Sequence, residues 1–253
     1  MKLNNKVAVI TGGAGQIGQA TAYSLASQGA RIFSLVRRNL DNAQQLLDVL
    51  PNNHLDHRAL LVDVTDSEQV RQSAKTVTEL AGRCDILVNS AAIALHPTNI
   101  LEFPEVQFDE IMAINLKGPW LMIKEFHPLL KNTGDGLVIN ISSVASIRTR
   151  PTSTFYSMTK AGVNAMTESL ARAFGPEIRV IAIAPSMLPK PISGYPFILE
   201  KKFGAFKFED AVSATPVKRL CTAEDVADVI ESLATKIKFY NGHLIMLDGG
   251  ATL

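Results

Sequence analysis

Short apolar runs that are typical of strands alternate with helical patterns along the whole chain of 253 residues. This alternation predicts parallel strands joined by crossover helices, because parallel neighbours need a long connection. The predicted strands are Lys6–Ile10, Arg31–Val36, Ala59–Val64, Ile86–Val88, Leu137–Ile141, Arg179–Ala184 and Leu244–Leu247. The predicted helices are one from about Ala20 to Gly29, then Leu40–Leu50, Ser67–Ala81, Val106–Leu130, Thr154–Phe174 and Ala223–Ala234. The chain is therefore expected to form a doubly wound α/β sheet with helices on both faces.

A glycine-rich turn joins the first predicted strand to the first helix. It runs from Thr11 to Gly18 and places Gly12, Gly15 and Gly18 at three-residue intervals. Glycines let a backbone turn tightly and approach a pyrophosphate, whose charge suits the N-terminus of a helix. The turn therefore predicts a Rossmann-type dinucleotide site; an ordinary tight turn between strand and helix is the alternative.

Composition narrows the class of protein. With 47% hydrophobic residues, the chain is expected to form one domain, residues 1–253, that binds the dinucleotide and carries the catalytic groups. A net charge of +1 with scattered basic residues predicts no nucleic-acid partner. Cys84 and Cys221 lack the spacing of a metal site or a disulfide framework. No apolar run approaches the ~18 residues of a membrane span, and the first strand begins too early for a signal peptide. We expect a cytoplasmic protein without a metal or a membrane partner.

Tyr156 and Lys160 stand four residues apart in a predicted helix, and Ser143 ends an apolar run upstream. Helical spacing puts the phenol and the amine on one face, with Cβ atoms about 5–6 Å apart. A neighbouring cation favours the ionised phenol, so Lys160, beside a positively charged cofactor, is expected to lower the pKa of Tyr156. The pattern predicts a tyrosine acid/base, with Ser143 bonding the substrate oxygen. A solvated lysine and a capping serine are the alternatives.

Taken together, these residues resemble the short-chain dehydrogenase/reductase family in its compact single-domain branch, from about Lys6 to Gly250. The resemblance implies about seven strands, a nicotinamide cofactor and a homotetramer or homodimer. This sequence departs from the family pattern at Gln16, Ser90–Ala92, Ser186 and Lys190. The matching residues are Thr11, Gly12, Asp63, Asn89, Asn115, Ser143, Tyr156, Lys160, Pro185 and Asp248–Gly250.

The resemblance also implies where the site residues lie. Ser143, Tyr156, Lys160 and Asn115 would be the catalytic set, with the Asn115 carbonyl holding a water that links to the lysine. Pro119 has no N–H, so it is predicted to leave that carbonyl free; a plain helix kink is the alternative. The implied cofactor contacts are Gly12, Gly15, Gln16, Ile17, Gly18, Asp63, Val64, Asn89, Ala91, Tyr156, Lys160, Pro185, Met187 and Leu188.

The end of the second predicted strand bears on the choice of cofactor. A carboxylate there would bind the ribose hydroxyls of NAD, whereas this chain has Arg37 and Arg38. A guanidinium binds a phosphate through charge-assisted hydrogen bonds, so NADP(H) is favoured over NAD(H), with Arg37 as the main ligand and Arg38 second. Two solvated surface arginines are the alternative.

The substrate side is less informative. His96, Arg148 and Arg150 are expected to border the cleft, and the arginines are candidates for an anionic substrate group. The segment of about 186–220 reads as a long irregular substrate loop. Its aromatic residues, Tyr195, Phe197, Phe203, Phe206 and Phe208, alternate with Lys201, Lys202 and Lys207 and would form a lid or a subunit contact.

The functional prediction is an NADP(H)-dependent oxidoreductase that interconverts a small-molecule carbonyl and a secondary alcohol. An NAD-linked dehydrogenase of the same family is one alternative, and a non-catalytic nucleotide-binding sensor or scaffold is another. An NAD-linked sugar epimerase or dehydratase is disfavoured, since those relatives generally carry a larger substrate domain. The sequence does not choose among sugar, steroid, acyl-thioester and small ketone substrates.

Overall fold

A computed structural model describes residues 2–95, 99–189 and 208–253 and contains a parallel sheet of seven strands. The sheet order is β3-β2-β1-β4-β5-β6-β7, which confirms the predicted doubly wound α/β fold. The strands are buried on both faces near the centre, where the apolar runs contain many Val and Ile residues. Their bounds are Val7–Thr11 (β1), Arg31–Val36 (β2), Arg58–Leu61 (β3), Ile86–Asn89 (β4), Gly136–Ile141 (β5), Ile178–Pro185 (β6) and Leu244–Leu247 (β7).

Helices cover both faces of this sheet. One face carries α1, α2 and α8, and the other carries α3 to α6, each against its own hydrophobic cluster. In the described part of the chain, no helix has both the length and the apolar content needed to cross a membrane. The helix bounds are Gln16–Ser27 (α1), Leu40–Asp48 (α2), Ser67–Ala81 (α3), Glu105–Met112 (α4), Gly118–Lys131 (α5), Thr154–Phe174 (α6), Phe208–Ala214 (α7) and Ala223–Thr235 (α8).

The strand order reverses beside β1. This strand pairs with β2 on one side and with β4 on the other, and Thr11 lies opposite both Leu35 and Asn89. Chain connections therefore leave the carboxyl ends of β1 and β4 in opposite directions and open a crevice between them. In open α/β sheets, ligands bind at such a reversal point. The glycine turn after β1 lies at this edge.

The single long helix predicted for Val106–Leu130 is wrong in detail. A turn of π-helix, Ala113–Lys117, separates α4 from α5, and Gly118 donates its N–H to the Ala113 carbonyl, five residues earlier. Pro119 is the physical reason, because it has no N–H to continue the regular hydrogen-bond ladder. Gly118 also lies so close to Val64 that a Cβ there would be 2.9 Å from the valine Cγ2. π-Turns of this kind are frequent at functional sites.

Two further predictions need correction. The third strand ends at Leu61 rather than Val64, because the chain leaves β2 after the pair Val36–Leu61. The irregular segment predicted up to Leu220 contains α7, whose first turn has the acidic residues Glu209 and Asp210, which favour a helix N-terminus. The departure noted at Lys190, the loop residue His96 and the aromatic stretch before Phe208 lie outside the described residues.

Candidate active site

β5 and α6 bring the three predicted reacting groups together. Ser143 follows β5 by two residues, and Tyr156 lies in the first turn of α6, with Lys160 one turn later. The Ser143 hydroxyl accepts a hydrogen bond from the Ala145 N–H at 3.2 Å, which leaves its own proton free to be donated. The Ser143 side chain also lies close enough to Tyr156 to lower the pKa of its phenol. The serine and the tyrosine therefore face the same space at the carboxyl edge of the sheet.

Lys160 is buried beside this pair, with 3% of its surface exposed. Its Nζ donates to the Ile141 carbonyl at 2.6 Å, and the same atom lies 5.6 Å from the centre of the Tyr156 ring. Burial lowers the pKa of the Lys160 amine to about 8, because a cation loses its hydration there. The predicted one-turn stacking of the amine on the tyrosine is therefore present.

The lowered pKa of Tyr156 is predicted for the lysine together with a bound cofactor, and the protein's own residues do not produce it. Burial raises the pKa of Tyr156 to about 12, while the Ser143 side chain acts in the opposite direction. Loss of hydration disfavours the charged phenolate, and among the described residues the Lys160 amine donates to the Ile141 carbonyl and not to the phenol oxygen. In this arrangement Tyr156 is a neutral phenol that holds a proton to donate.

Ser142 and Ser143 have different environments. The Ser142 hydroxyl is buried against α6, where it donates to Asn164 Oδ1 at 2.6 Å and to the Lys160 carbonyl at 3.3 Å. Asn164 Nδ2 then donates to Ser146 at 2.8 Å, which secures the loop after Ser143. The structure thus places Ser143, and not Ser142, beside the tyrosine.

Asn115 is fully buried in the π-turn. Its side chain accepts from the Ile93 N–H at 2.9 Å, donates to the Ile93 carbonyl at 2.8 Å and donates to Thr159 Oγ1 at 3.2 Å. These bonds tie the loop after β4 to the helix of Tyr156 and Lys160. Pro119, which lacks an N–H, stands four residues after Asn115. The role of the Asn115 carbonyl in a water relay remains a prediction.

The glycine turn after β1 leaves no room for side chains at two of its positions. Gly12 has a φ of +65°, and a Cβ there would lie 2.9 Å from the Ala91 backbone. A Cβ on Gly18 would lie 2.5 Å from the Gly12 carbonyl oxygen. Gly15 is the N-cap of α1 and has no side chain to cap this helix, whose first turn begins with Gln16, Ile17 and Gly18. These residues fit an anionic pyrophosphate.

The loop after β4 is held against this turn. Thr11 Oγ1 accepts from the N–H groups of Ser90 and Ala91, each at 3.1 Å. Asn89 donates to Asn140 Oδ1 at 2.9 Å, whereas its own Oδ1 is buried and has no hydrogen-bond partner in the described part of the chain. An unsatisfied acceptor of this kind costs free energy unless a water or a ligand fills it.

Arg37 and Arg38 lie exposed directly after β2. Within the described residues, neither guanidinium makes a hydrogen bond or an ion pair. The Gly13 N–H donates to the Leu35 carbonyl at 3.3 Å, so the end of β2 stays next to the glycine turn. Both arginines are therefore at the correct edge of the sheet and free to take an anion.

Asp63 and Val64 follow β3 at the same edge. Asp63 Oδ1 accepts from the Thr65 N–H at 2.9 Å and from the Thr65 hydroxyl at 2.7 Å, so the residue forms a turn after the strand. Within the described residues, its second carboxylate oxygen accepts no hydrogen bond. Val64 is buried against Gly118.

The far end of the crevice is formed by the residues after β6. Pro185 ends the strand, the Ser186 N–H donates to the Leu247 carbonyl at 3.0 Å, and Met187 and Leu188 are partly buried. Arg148, a predicted ligand for an anionic substrate group, donates to the Thr252 carbonyl at 2.7 Å. Its guanidinium therefore already has a hydrogen-bond partner in the protein. Arg150 is exposed.

Two site-supporting residues were not predicted. Asn140 and Thr167 form a buried hydrogen bond of 3.0 Å between β5 and α6. A signal was available for Asn140, because it is the one polar residue within the apolar run Leu137–Ile141. Thr167 gives no such signal, since threonine is an ordinary helix residue and its neighbour is known only from the packing of α6.

Comparison with known proteins identifies relatives that match almost the whole chain. A family described as Enoyl-(Acyl carrier protein) reductase matches residues 12–252. The 3-oxoacyl-[acyl-carrier-protein] reductase FabG of Thermotoga maritima is 33% identical over 257 residues, which cover 100% of each chain. A Streptomyces violaceoruber protein, named for ketoacyl reduction in granaticin polyketide synthesis, is 32% identical and covers 98% of this chain and 96% of its own.

Solved structures show the same architecture. The crystal structure of gox2181 has a TM-score of 0.88 and 28% identity, and the match covers 99% of this chain and 97% of that one. A short-chain dehydrogenase/reductase of Brucella melitensis, named as a glucose/ribitol dehydrogenase, also has a TM-score of 0.88 at 23% identity, with 100% and 99% covered. The second likeness concerns the fold alone.

Proposed function

This chain belongs to the short-chain dehydrogenase/reductase family, and on that premise we propose that it is an NADP(H)-dependent ketone reductase that uses Tyr156 as its proton donor. Family membership makes it an NAD(P)-dependent oxidoreductase. One observation carries the finer proposal, namely the convergence of Ser143, Tyr156 and Lys160 beside the crevice of the sheet. A non-catalytic nucleotide sensor would not need these three side chains, and all three are present here.

The chain's own residues divide the reaction between them. The Ser143 hydroxyl donates a hydrogen bond to the substrate oxygen and orients the carbonyl. Tyr156, whose burial keeps the phenol protonated, gives that oxygen its proton as negative charge develops on it. The Lys160 amine supplies positive charge behind the phenol. When bound, the nicotinamide cofactor supplies the hydride. In the reverse direction Tyr156 accepts the proton from an alcohol.

The cofactor would be held along the carboxyl edge of the sheet. The glycine turn and the first turn of α1 take the pyrophosphate, and Lys160 takes the ribose hydroxyls on the nicotinamide side. Arg37, with Arg38 beside it, takes the 2′-phosphate. The contacts proposed for the adenine and nicotinamide ends are Asp63, Val64, Asn89, Ala91, Pro185, Met187 and Leu188.

The proposed substrate class is a 3-oxoacyl thioester. Two relatives that cover almost the whole chain carry names for reduction of a 3-oxoacyl or ketoacyl group. Such a substrate offers the ketone oxygen that Ser143 and Tyr156 are placed to bind. We place the reaction in the cytoplasm, because Cys84 and Cys221 are both free thiols, as is usual in a reducing compartment.

We also propose that the active protein is a homodimer or homotetramer. An apolar groove of about 510 Å³ runs between the π-turn, α5 and α6 and is lined mainly by Met112, Leu116, Trp120 and Met166. The Trp120 side chain is 47% exposed there. A contiguous apolar surface of this kind supports a contact with a second copy.

A binding titration followed by turnover tests the proposal. NADPH and NADH are titrated separately by their fluorescence, and acetoacetyl-coenzyme A is then added with the preferred nucleotide while absorbance at ~340 nm is followed. Tighter binding of NADPH and steady loss of absorbance are expected. Preference for NADH would support the NAD-linked alternative, and tight binding without turnover of any ketone would support a sensor.

A further inference from the structure

A line of buried polar side chains crosses the molecule beneath the candidate site. Asn89 Nδ2 donates to Asn140 Oδ1 at 2.9 Å, and Asn140 Nδ2 donates to Thr167 Oγ1 at 3.0 Å. Thr167 Oγ1 donates in turn to the Val163 carbonyl of its own helix at 2.8 Å. Asn89, Asn140 and Thr167 are only 4%, 0% and 1% exposed.

Burial of these polar groups calls for a reason. Amide and hydroxyl groups lose their hydration in the core, and a hydrogen bond returns only part of that free energy. An apolar residue at position 140 would continue the run of β5 at no such cost. A polar chain of this kind fixes one arrangement of its neighbours, because a hydrogen bond is directional, whereas apolar packing tolerates sliding and rotation.

The chain joins the three elements that carry the site. Asn89 ends β4, directly before the loop of Ala91, and Asn140 stands in β5 three residues before Ser143. Thr167 lies on α6 seven residues after Lys160, which is two helical turns along the same face. This chain of hydrogen bonds therefore joins β4, which borders the predicted cofactor crevice, to β5, which precedes Ser143, and to α6, which carries Lys160.

The contacts between β5 and α6 are consecutive along the strand. Asn140 donates to Thr167, the Ile141 carbonyl accepts from Lys160 Nζ at 2.6 Å, and Ser142 donates to Asn164 at 2.6 Å. The contact between Asn140 and Thr167 is the furthest of the three along the strand from Ser143, and neither residue is proposed to touch the substrate or the cofactor. It therefore acts on the site only by fixing how α6 lies against β5.

We propose that Asn140 and Thr167 are positioning residues, whose hydrogen bond sets the placement of α6 on β5 and thereby the position of Lys160 and Tyr156 relative to Ser143. The proposal rests on the reaction proposed above, in which these three residues are the reacting groups. Without the bond, α6 gains freedom to shift, and the Lys160 amine is less completely shielded from water.

The test compares matched threonine variants in the full chain. Thr167→Val keeps the shape of the side chain and removes its hydrogen bonds, whereas Thr167→Ser keeps the hydroxyl. Thr235→Val is the control, because the Thr235 hydroxyl also bonds the carbonyl four residues earlier, Glu231, at 2.7 Å, but on α8. The readout is an NMR titration of the Lys160 Cε resonance, assigned by its loss in Lys160→Arg, without cofactor or substrate.

Thr167→Val is expected to raise the titration midpoint of Lys160 by about one pH unit, since the amine gains water. Thr167→Ser and Thr235→Val are expected to titrate as the wild type does. In turnover with acetoacetyl-coenzyme A, Thr167→Val should lower kcat by roughly tenfold or more with little change in KM, because small misplacement of reacting groups is costly.

Several results would overturn the proposal. One is a lower Tm for Thr167→Val with an unchanged Lys160 midpoint, which would mean a role in stability alone. Another is a wild-type midpoint at the ordinary lysine value. If Thr167→Val does not fold, the Lys160 titration of Thr167→Ala is compared with that of Thr167→Ser instead. Absence of ketone turnover in the wild type would refute the proposed function, while the titration would still decide the role of Thr167 in placing the amine.

Discussion

The amine of Lys160 is a buried cation whose only described hydrogen-bond acceptor is the Ile141 carbonyl. Its pKa of about 8 lies well below the ordinary lysine value of 10.5. The folded chain therefore binds this proton more weakly than the unfolded chain does, and the protonated amine destabilises the fold at neutral pH. A residue retained at such a cost is expected to serve the reaction rather than stability.

Lys160→Met is predicted to stabilise the fold and to abolish turnover. At about 1.4 kcal/mol per pH unit, the free energy of unfolding should rise by up to about 3 kcal/mol at pH 7. The gain should be constant below pH 8 and should shrink as pH rises from 8 towards 10.5, because in this range the folded amine is neutral and the wild type takes up a proton on unfolding. Urea unfolding of both proteins between about pH 7 and 10.5 measures this difference in the free energy of unfolding. Equal stability of the two proteins at pH 7 would contradict the burial of a charged amine.

Arg37→Ser is predicted to weaken NADPH binding by roughly 10- to 100-fold, because one charge-assisted hydrogen bond contributes about 1.5–3 kcal/mol. NADH lacks the 2′-phosphate, so its affinity should change little. Fluorescence titration with both nucleotides gives the two constants. Arg38→Ser is the matched variant, since Arg38 is the neighbouring exposed arginine. Unchanged NADPH affinity in both variants would show that the two arginines are ordinary surface residues.

The tyrosine shows where reasoning from single residues stops. The spacing of Tyr156 and Lys160 correctly placed the amine by the ring, because helix geometry fixes that relation. The direction of the pKa shift depends on burial, which no local pattern reveals, and burial raises the pKa of the phenol in the protein alone. A lowered pKa would require the positive charge of the cofactor as well.

Among the elements, the turn between β1 and α1 has the least room for change. Gly18→Ala is predicted to reduce binding of NADPH and NADH alike by at least about tenfold, although alanine is normally favoured in helices by about 1 kcal/mol. A Cβ at Gly18 would lie 2.5 Å from the Gly12 carbonyl and would push the turn apart. Nucleotide titration and Tm together test this prediction.

The control is Tyr23→Ala on the solvent side of the same helix, where the side chain is 59% exposed. This variant should bind both nucleotides as the wild type does. Normal dinucleotide binding by Gly18→Ala would mean that the turn yields easily and is not the pyrophosphate site.

Elements with clear end signals were predicted correctly, and elements shaped by contacts were not. The bounds of α3 match the prediction, because Asp66 caps its first turn and Gly82 ends it in the left-handed conformation. The break between α4 and α5 escaped prediction, since the apolar spacing continues through it. Pro119 interrupts the regular hydrogen-bond ladder there, and Asn115 also holds the π-turn through bonds to Ile93 and Thr159 that no local pattern reveals.

At the scale of the whole molecule, alternation of strands and helices predicted the doubly wound sheet, and the structure confirms it. The sequence could not show the relay through Asn89, Asn140 and Thr167. Its members are far apart along the chain and meet only when β4, β5 and α6 pack together.

The proposed assembly gives a prediction at this scale. Trp120→Glu places a charge beside the apolar groove lined by Met112, Leu116 and Met166. Desolvation of that charge should shift a homodimer or homotetramer to a smaller species, which light scattering after size-exclusion chromatography measures. Lys131→Glu, at the exposed end of the same helix, is the control and should leave the mass unchanged. An unchanged mass for Trp120→Glu would place the contact elsewhere.

The most direct test of the central claim is the turnover number of Tyr156→Phe. The variant lacks only the phenolic oxygen, so NADPH should still bind, whereas acetoacetyl-coenzyme A reduction should fall by about 100-fold or more, as for loss of a general acid. The rate of NADPH consumption at saturating substrate gives the answer. Turnover within about twofold of the wild type would contradict proton donation by Tyr156, since the loss of a general acid is expected to lower the rate by about 100-fold or more.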